Sequence, residues 1–186
     1  MIRLATHILS ASPAAPEPEQ ASVILTPETY DPAPGLDAEI EALTDTVFGP
    51  GRYAKASQRV REEAPHRADL SFTARVGARL VGSVRLTPIT VGEAPALLLG
   101  PLAVLPDLRG QGVGLGLLLE SAGAARASGE RVILLVGDPP YYARAGYRRA
   151  PAGVRMPGPV DPSRLLGLDL VAGTLDGLTG LVRGRS

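Results

Sequence analysis

The apolar run Leu97–Val104 (L-L-L-G-P-L-A-V), followed closely by R-G-Q-G-V-G at 109–114, constrains this chain more than any other stretch. Eight nearly unbroken apolar positions suit a central strand covered on both faces. Proline removes a ladder donor and belongs at edges or bulges, so Pro101 predicts a local distortion of that strand. Pro106–Gly112 reads as a turn. Leu115, Leu118, Leu119, Ala122 and Ala125 then recur on one helical face, with Gly129 as the stop. Glycines at 110, 112 and 114 let a ligand approach the backbone closely, and the helix N-terminus behind them presents free amides and partial positive charge. Such a strand, turn and helix suits a phosphate or pyrophosphate. Close helix-to-strand packing would explain the same glycines equally well.

Two phosphate-binding fingerprints do not fit. A G-x-x-x-x-G-K-[ST] loop needs a lysine, and the only lysine is Lys55. A G-x-G-x-x-G turn starting at Gly112 would place its third glycine at Leu117.

The flanking chain reads as one domain. Residues 10–20 are rich in Pro, Ala and Glu with nothing to bury, so 1–21 is expected to be a flexible leader and 22–186 the globular part. V-I-L-T at 23–26 begins the strands. Leu36, Ile40, Leu43 and Val47 space a helix over 36–48, with Asp37 and Glu39 suited to its positive end. A second, polar helix is expected over 53–63. Strands are expected over 70–76 and 80–86 about Gly77, with Pro88 and the 92–95 segment interrupting the pattern. Val132–Val136 reads as another buried strand. Asp138 before Pro139 reads as the N-cap of a short helix ended by Gly146. Residues 151–162 form a Pro/Gly-rich loop, and Leu166, Leu168 and Leu170 alternate like a last strand.

Composition removes several classes of function. There are no cysteines, and the two histidines, His7 and His66, are far apart, so neither a thiol nucleophile nor a metal cluster is expected. His66 follows Pro65 in a polar stretch and reads as a solvated loop histidine. Lys plus Arg and Asp plus Glu are 19 each, without a basic block, and aromatics are 4%, so nucleic acid is not an expected partner. The arginine excess reads as codon bias. No stretch approaches a membrane span, no signal peptide is evident, and the cytoplasm is the default location.

Arg109, Gly112 and Gly114, after an apolar strand and L-A-V-L-P at 102–106, resemble the [Q/R]-x-x-G-x-[G/A] motif of the GNAT superfamily of acyl-CoA-dependent N-acyltransferases. Y-Y-A-R-A-G-Y at 141–147 is similar to that family's short helix after strand five. The preceding G-D-P-P resembles a branch of bacterial predicted acetyltransferases. The resemblance runs from about Ser22 to the C-terminus and is densest over 97–147.

It implies an α/β domain with a mixed, mostly antiparallel sheet, helices on both faces, and a splay between strands four and five. It implies acetyl-CoA as cosubstrate, no metal, and a small-molecule or peptide amine as acceptor; a homodimer is compatible. Leu102, Ala103, Val104, Arg109, Gly110, Gln111, Gly112, Val113 and Gly114 are then the expected coenzyme contacts, with Ala103 and Val104 along the pantetheine and thioester. Tyr142 is the expected acid that protonates the departing thiolate, since a phenol stays protonated at neutral pH. Tyr141 is expected only to anchor its helix against the sheet. No general base is identified; Asp138 is explained by its cap, and the acceptor is expected near 36–63 and 151–162. A non-catalytic acyl-CoA sensor and a phosphate- or nucleotide-binding protein are the competing readings.

Overall fold

The computed structural model describes residues 22–31, 33–49 and 56–185. The expected leader and the start of the second helix, 53–55, lie outside the described residues. Along the chain come β1 (Val23–Pro27), α1 (Leu36–Phe48), α2 (Ala56–Glu62), β2 (Phe72–Val76), β3 (Arg79–Val91), β4 (Ala94–Val104) and α3 (Val113–Ala127). Then follow β5 (Val132–Val136), α4 (Pro139–Ala143), β6 (Arg148–Arg149), β7 (Val154–Arg155), β8 (Leu165–Asp169) and β9 (Gly180–Gly184).

The sheet runs β1-β2-β3-β4-β5-β8-β6, with β9 beside the far end of β3 and β7 beside β9. Along the main path every pair is antiparallel except β4–β5, whose crossover is α3. Leu117 and Leu118 of α3 cover one face over Leu86, Leu97 and Ile133. On the other face Val60 of α2 packs with Ile89, Leu98 and Val182, and α1 buries Ile40 and Leu43 against β3 and β4. This is the expected mixed sheet with helices on both faces.

Two strand expectations need correction. β3 does not stop before Pro88 but continues to Val91, turns at Gly92 (φ 61°) and pairs back along β4 from Ala94. Proline is tolerated because the Pro88 carbonyl accepts from Arg185 N–H at 3.0 Å, away from β4. In an antiparallel strand a residue's nitrogen faces the same side as its carbonyl, so no β3–β4 bond is lost. Leu165–Asp169 is not the last strand: it inserts between β5 and β6, and β9 follows.

The distortion expected at Pro101 is a bulge. Val84 pairs with Leu102 and Leu86 with Leu99, so β4 carries one more residue than β3 between those pairs. That extra residue changes which side chains face α3. Leu97 and Leu99 point there before the bulge, and Leu102 and Val104 after it. The β4–β5 pairing is limited to Leu97↔Ile133 and Leu98↔Leu134. Beyond it β4 stays with β3 and β5 with β8, so the two strands diverge toward their C-terminal ends.

Arginine ion pairs tie α1 and its approach to the sheet. Arg85 bonds Glu28 through Nε (2.9 Å) and Nη2 (3.1 Å) and also pairs with Asp37. Arg75 Nε donates to Asp31 at 2.8 Å and its Nη2 to Glu39 at 2.7 Å. The acids expected to serve the helix dipole thus bind the sheet. His66 is not a solvated loop histidine: its Nε2 lies 2.9 Å from the Glu28 carboxylate, which is only 4% exposed. Burial alone would raise the Glu28 pKa, but hydrogen bonds from His66 and Arg85 hold it below the ordinary carboxylate value. Stabilisation from a lowered carboxylate pKa is present above the unfolded value and is lost as pH falls through the folded one. Urea denaturation should therefore show stability declining below about pH 4. Glu28→Ala should cost about 3 kcal/mol at neutral pH, because it strips a partner from a largely buried guanidinium. A loss under ~0.5 kcal/mol would show the network to be dispensable.

Candidate active site

The divergence of β4 and β5 opens two cavities that meet at one place. The first, about 300 Å³, is lined by Leu102 and Val104 of β4, by Arg109, Gly110, Gly112, Val113 and Gly114 at the start of α3, and by Tyr141 and Tyr142 of α4. The second, about 260 Å³, lies over the bulge at Gly100 and Pro101, between α1 and α2 on one side and Gly137, Asp138 and Arg164 on the other. Phe48, Leu102 and Tyr142 line both.

Gly110 (φ 77°) and Gly112 (φ 85°) have left-handed backbone, and a Cβ on either would meet nothing within 4 Å. They are glycines for their conformation and leave open space above the loop. Gly112 is the N-cap of α3, whose first amides have no partner in a preceding turn. The packing explanation holds only at Gly114, and there the neighbour is not a strand. A Cβ on Gly114 would collide with the Tyr141 hydroxyl. Tyr141 therefore does not merely anchor α4 to the sheet; it reaches across the first cavity to α3.

Of the residues expected at this site, all but two line the first cavity. Ala103 is fully buried on the opposite face, where the bulge places it, so its side chain does not face this space. Gln111 turns back, its Nε2 donating to the Asp107 carbonyl at 3.0 Å. The cavity instead gains Val47 and Phe48 from α1.

Tyr142 lies at the junction. Its ring meets Tyr141 edge-on at 5.1 Å between centroids and Tyr147 at 5.9 Å. It also lies across Gly137, where a Cβ would sit 2.7 Å from Cδ2 and 2.9 Å from Cζ. Gly137 lets the ring settle there, a reason invisible in the local sequence. Burial above all, then the neighbouring Tyr141 and Asp138 against the opposing charge of Arg164, push the Tyr142 hydroxyl up to about 12. It is a protonated donor across the whole neutral range.

Asp138 occupies the N-cap position of α4 as expected, with Pro139 first in the helix, but its side chain makes no capping hydrogen bond. Only its carbonyl serves the helix, accepting from Tyr141 N–H (3.1 Å) and Tyr142 N–H (3.2 Å). The carboxylate is exposed and lines the second cavity. Asp138→Ala should accordingly change stability by less than ~0.5 kcal/mol, where a bonded cap would cost about 1. A thermal melt decides, and a loss above 1 kcal/mol would restore the capping role.

The expected acceptor region is found only in part. Thr44, Phe48, Ser57 and Arg61 of the helical pair line the second cavity. The 151–162 loop encloses a different one with Arg149 and Leu165. Arg61 and Arg164 carry no motif by which sequence reasoning could select them. Among the described residues no group of three His, Cys, Asp or Glu could hold a metal, and no helix is long and apolar enough to cross a membrane.

A splayed β4–β5 pair over a helix-terminal amide loop is the arrangement implied by the resemblance to acyl-CoA-dependent N-acyltransferases. The family model for the acetyltransferase (GNAT) family matches residues 38–150, and this chain belongs to that family. It is 31% identical over 153 residues to the uncharacterized N-acetyltransferase YhbS of Escherichia coli K12, covering 81% of this chain and 89% of the relative. The uncharacterized N-acetyltransferase YjhQ of the same strain is 29% identical over 126 residues, covering 66% and 70%. The crystal structure of E. coli YhbS in complex with CoA superposes with a TM-score of 0.68 at 26% identity, covering 89% of each chain. A Brucella melitensis GNAT-family acetyltransferase in complex with acetyl-CoA gives 0.56 at 26% identity, covering 80% of this chain and 96% of that one. The chain is an acyltransferase of this family.

Proposed function

We propose that this protein transfers an acetyl group from acetyl-CoA to a primary amine, with both substrates bound together. The observation that carries the reading is the meeting of two cavities at Tyr142 and Leu102, one of them opening onto the free amides of α3. Gly110 and Gly112 leave room for a pyrophosphate against the amides of 112–114, with Arg109 at the rim. Leu102 and Val104 offer an apolar wall for the pantetheine arm. That solved relatives bind CoA or acetyl-CoA supports the same assignment.

The amine enters from the second cavity and reacts as the neutral nucleophile once its ammonium proton has passed to solvent. Its nitrogen forms the C–N bond to the acetyl carbon, and the C–S bond breaks. The Tyr142 hydroxyl gives its proton to the departing sulfur, and the proton lost by nitrogen passes to solvent, from which the phenolate is reprotonated. A backbone N–H on the diverging part of β4 is the candidate donor to the oxyanion.

Calorimetry with coenzyme A and a thiol-release assay over a panel of amines test the reading. Binding with amine-dependent thiol release is expected. Absence of coenzyme A binding would overturn it. Binding without release from any amine would make the protein a holder of acyl-CoA instead.

A further inference from the structure

The second cavity has a charge pattern that coenzyme binding does not need. Arg61 of α2 reaches over the β4 bulge, its Nη1 lying 3.2 Å from where a Gly100 Cβ would be. Its Nη2 donates to Gln58 Oε1 at 3.0 Å, which steadies the guanidinium at that wall. From the opposite wall, Arg164 donates through Nε to the Gly137 carbonyl at 3.2 Å; among the described residues its Nη atoms have no hydrogen bond. One carboxylate, Asp138, stands on the same wall. It lies one helical turn before Tyr142 and is not used as a cap. Beside Tyr142, Thr44 and Ser57 are the uncharged polar side chains of the lining.

The Arg164 guanidinium on this wall and the Asp138 carboxylate complement a molecule with an amine at one end and an anion at the other. The carboxylate sits beside Tyr142, where the reacting nitrogen must come, and the guanidiniums suit a planar carboxylate. A volume of about 260 Å³ accommodates a small metabolite. We infer that the acceptor is a small amine bearing a carboxylate, an amino acid or close analogue. Its ammonium end is held by Asp138 and its carboxylate by Arg164 and Arg61. The inference rests on the transferase reading above.

The test uses the full chain, acetyl-CoA and thiol release, with free amino acids set against their carboxamides and decarboxylated amines. Free amino acids should exceed both counterparts by about 10- to 100-fold in kcat/KM, the weight of a charged hydrogen-bond pair. Arg164→Met should raise the amino-acid KM by a similar factor and collapse the ratio of acid to carboxamide, while kcat and the acetyl-CoA KM change far less. Arg164→Lys should restore part of the ratio. Asp138→Asn should raise KM for acids and carboxamides alike. Equal or better turnover of carboxamides or decarboxylated amines overturns the inference, as does an acid-to-carboxamide ratio that survives Arg164→Met. If no amino acid is turned over while coenzyme A still binds in calorimetry, the inference also fails and coenzyme binding stands apart from it. Failure of coenzyme A binding removes both readings.

Discussion

Tyr142→Phe is expected to lower kcat by about 10²–10⁴-fold, the contribution of a positioned general acid. The substitution deletes only the hydroxyl. The ring contacts with Tyr141, Tyr147 and Gly137 stay, so thermal stability and coenzyme A affinity should change little. Because the hydroxyl is pushed up to about 12, the wild type should show no alkaline loss of kcat from this group below about pH 11. Tyr141→Phe is the instructive comparison. Its hydroxyl rests on Gly114 in the first cavity, so its loss should fall on the acetyl-CoA KM more than on kcat. Equal rates for wild type and Tyr142→Phe would reject the acid role. Equal losses of kcat in both variants would point to ring packing instead.

Gly112→Asp is expected to weaken coenzyme A binding by about 3 kcal/mol, more than 100-fold in Kd. The new carboxylate would stand at the N-cap of α3, in the open space where phosphates would meet the helix amides. The fold should survive, because a Cβ there meets no neighbour and aspartate tolerates a φ of 85° better than most residues. Calorimetry with coenzyme A, beside a thermal melt of the variant, reads both quantities. Undiminished binding by a folded variant would move the phosphates away from this loop.

Much of the site is legible in the amino-acid sequence because its signals are short-ranged. Left-handed glycines ahead of a helix, proline first in α4, and helical spacing over 36–48 act within a few residues, and each element stands where those signals put it. Pro101 announces a distortion in the same way, and the bulge is there. Expectation and structure part where a residue's role depends on a distant partner. Asp138 has the local pattern of a cap, yet its carboxylate turns to a cavity whose opposite wall is built by α2. His66 reads as solvated because Glu28 lies 38 residues away. Tyr141 reads as an anchor because nothing near it in the chain names Gly114.

The sequence by itself determined the family, the phosphate-suited loop, the strand and helix order over 97–147, and Tyr142 as the acid to test. The loop and the element order are written in turn chemistry and periodicity, which need only neighbouring residues, while the family and Tyr142 came from the resemblance of two short motifs. The tertiary structure alone decided that Leu102 and Val104, not Ala103, face the first cavity, since one extra residue in β4 shifts the alternation relative to β3. It also decided that arginines 75 and 85 bind α1 to the sheet, and that Arg61 and Arg164 converge on a space beside Tyr142. Pairing register and the meeting of remote side chains are set by how whole elements pack, and no local pattern encodes them.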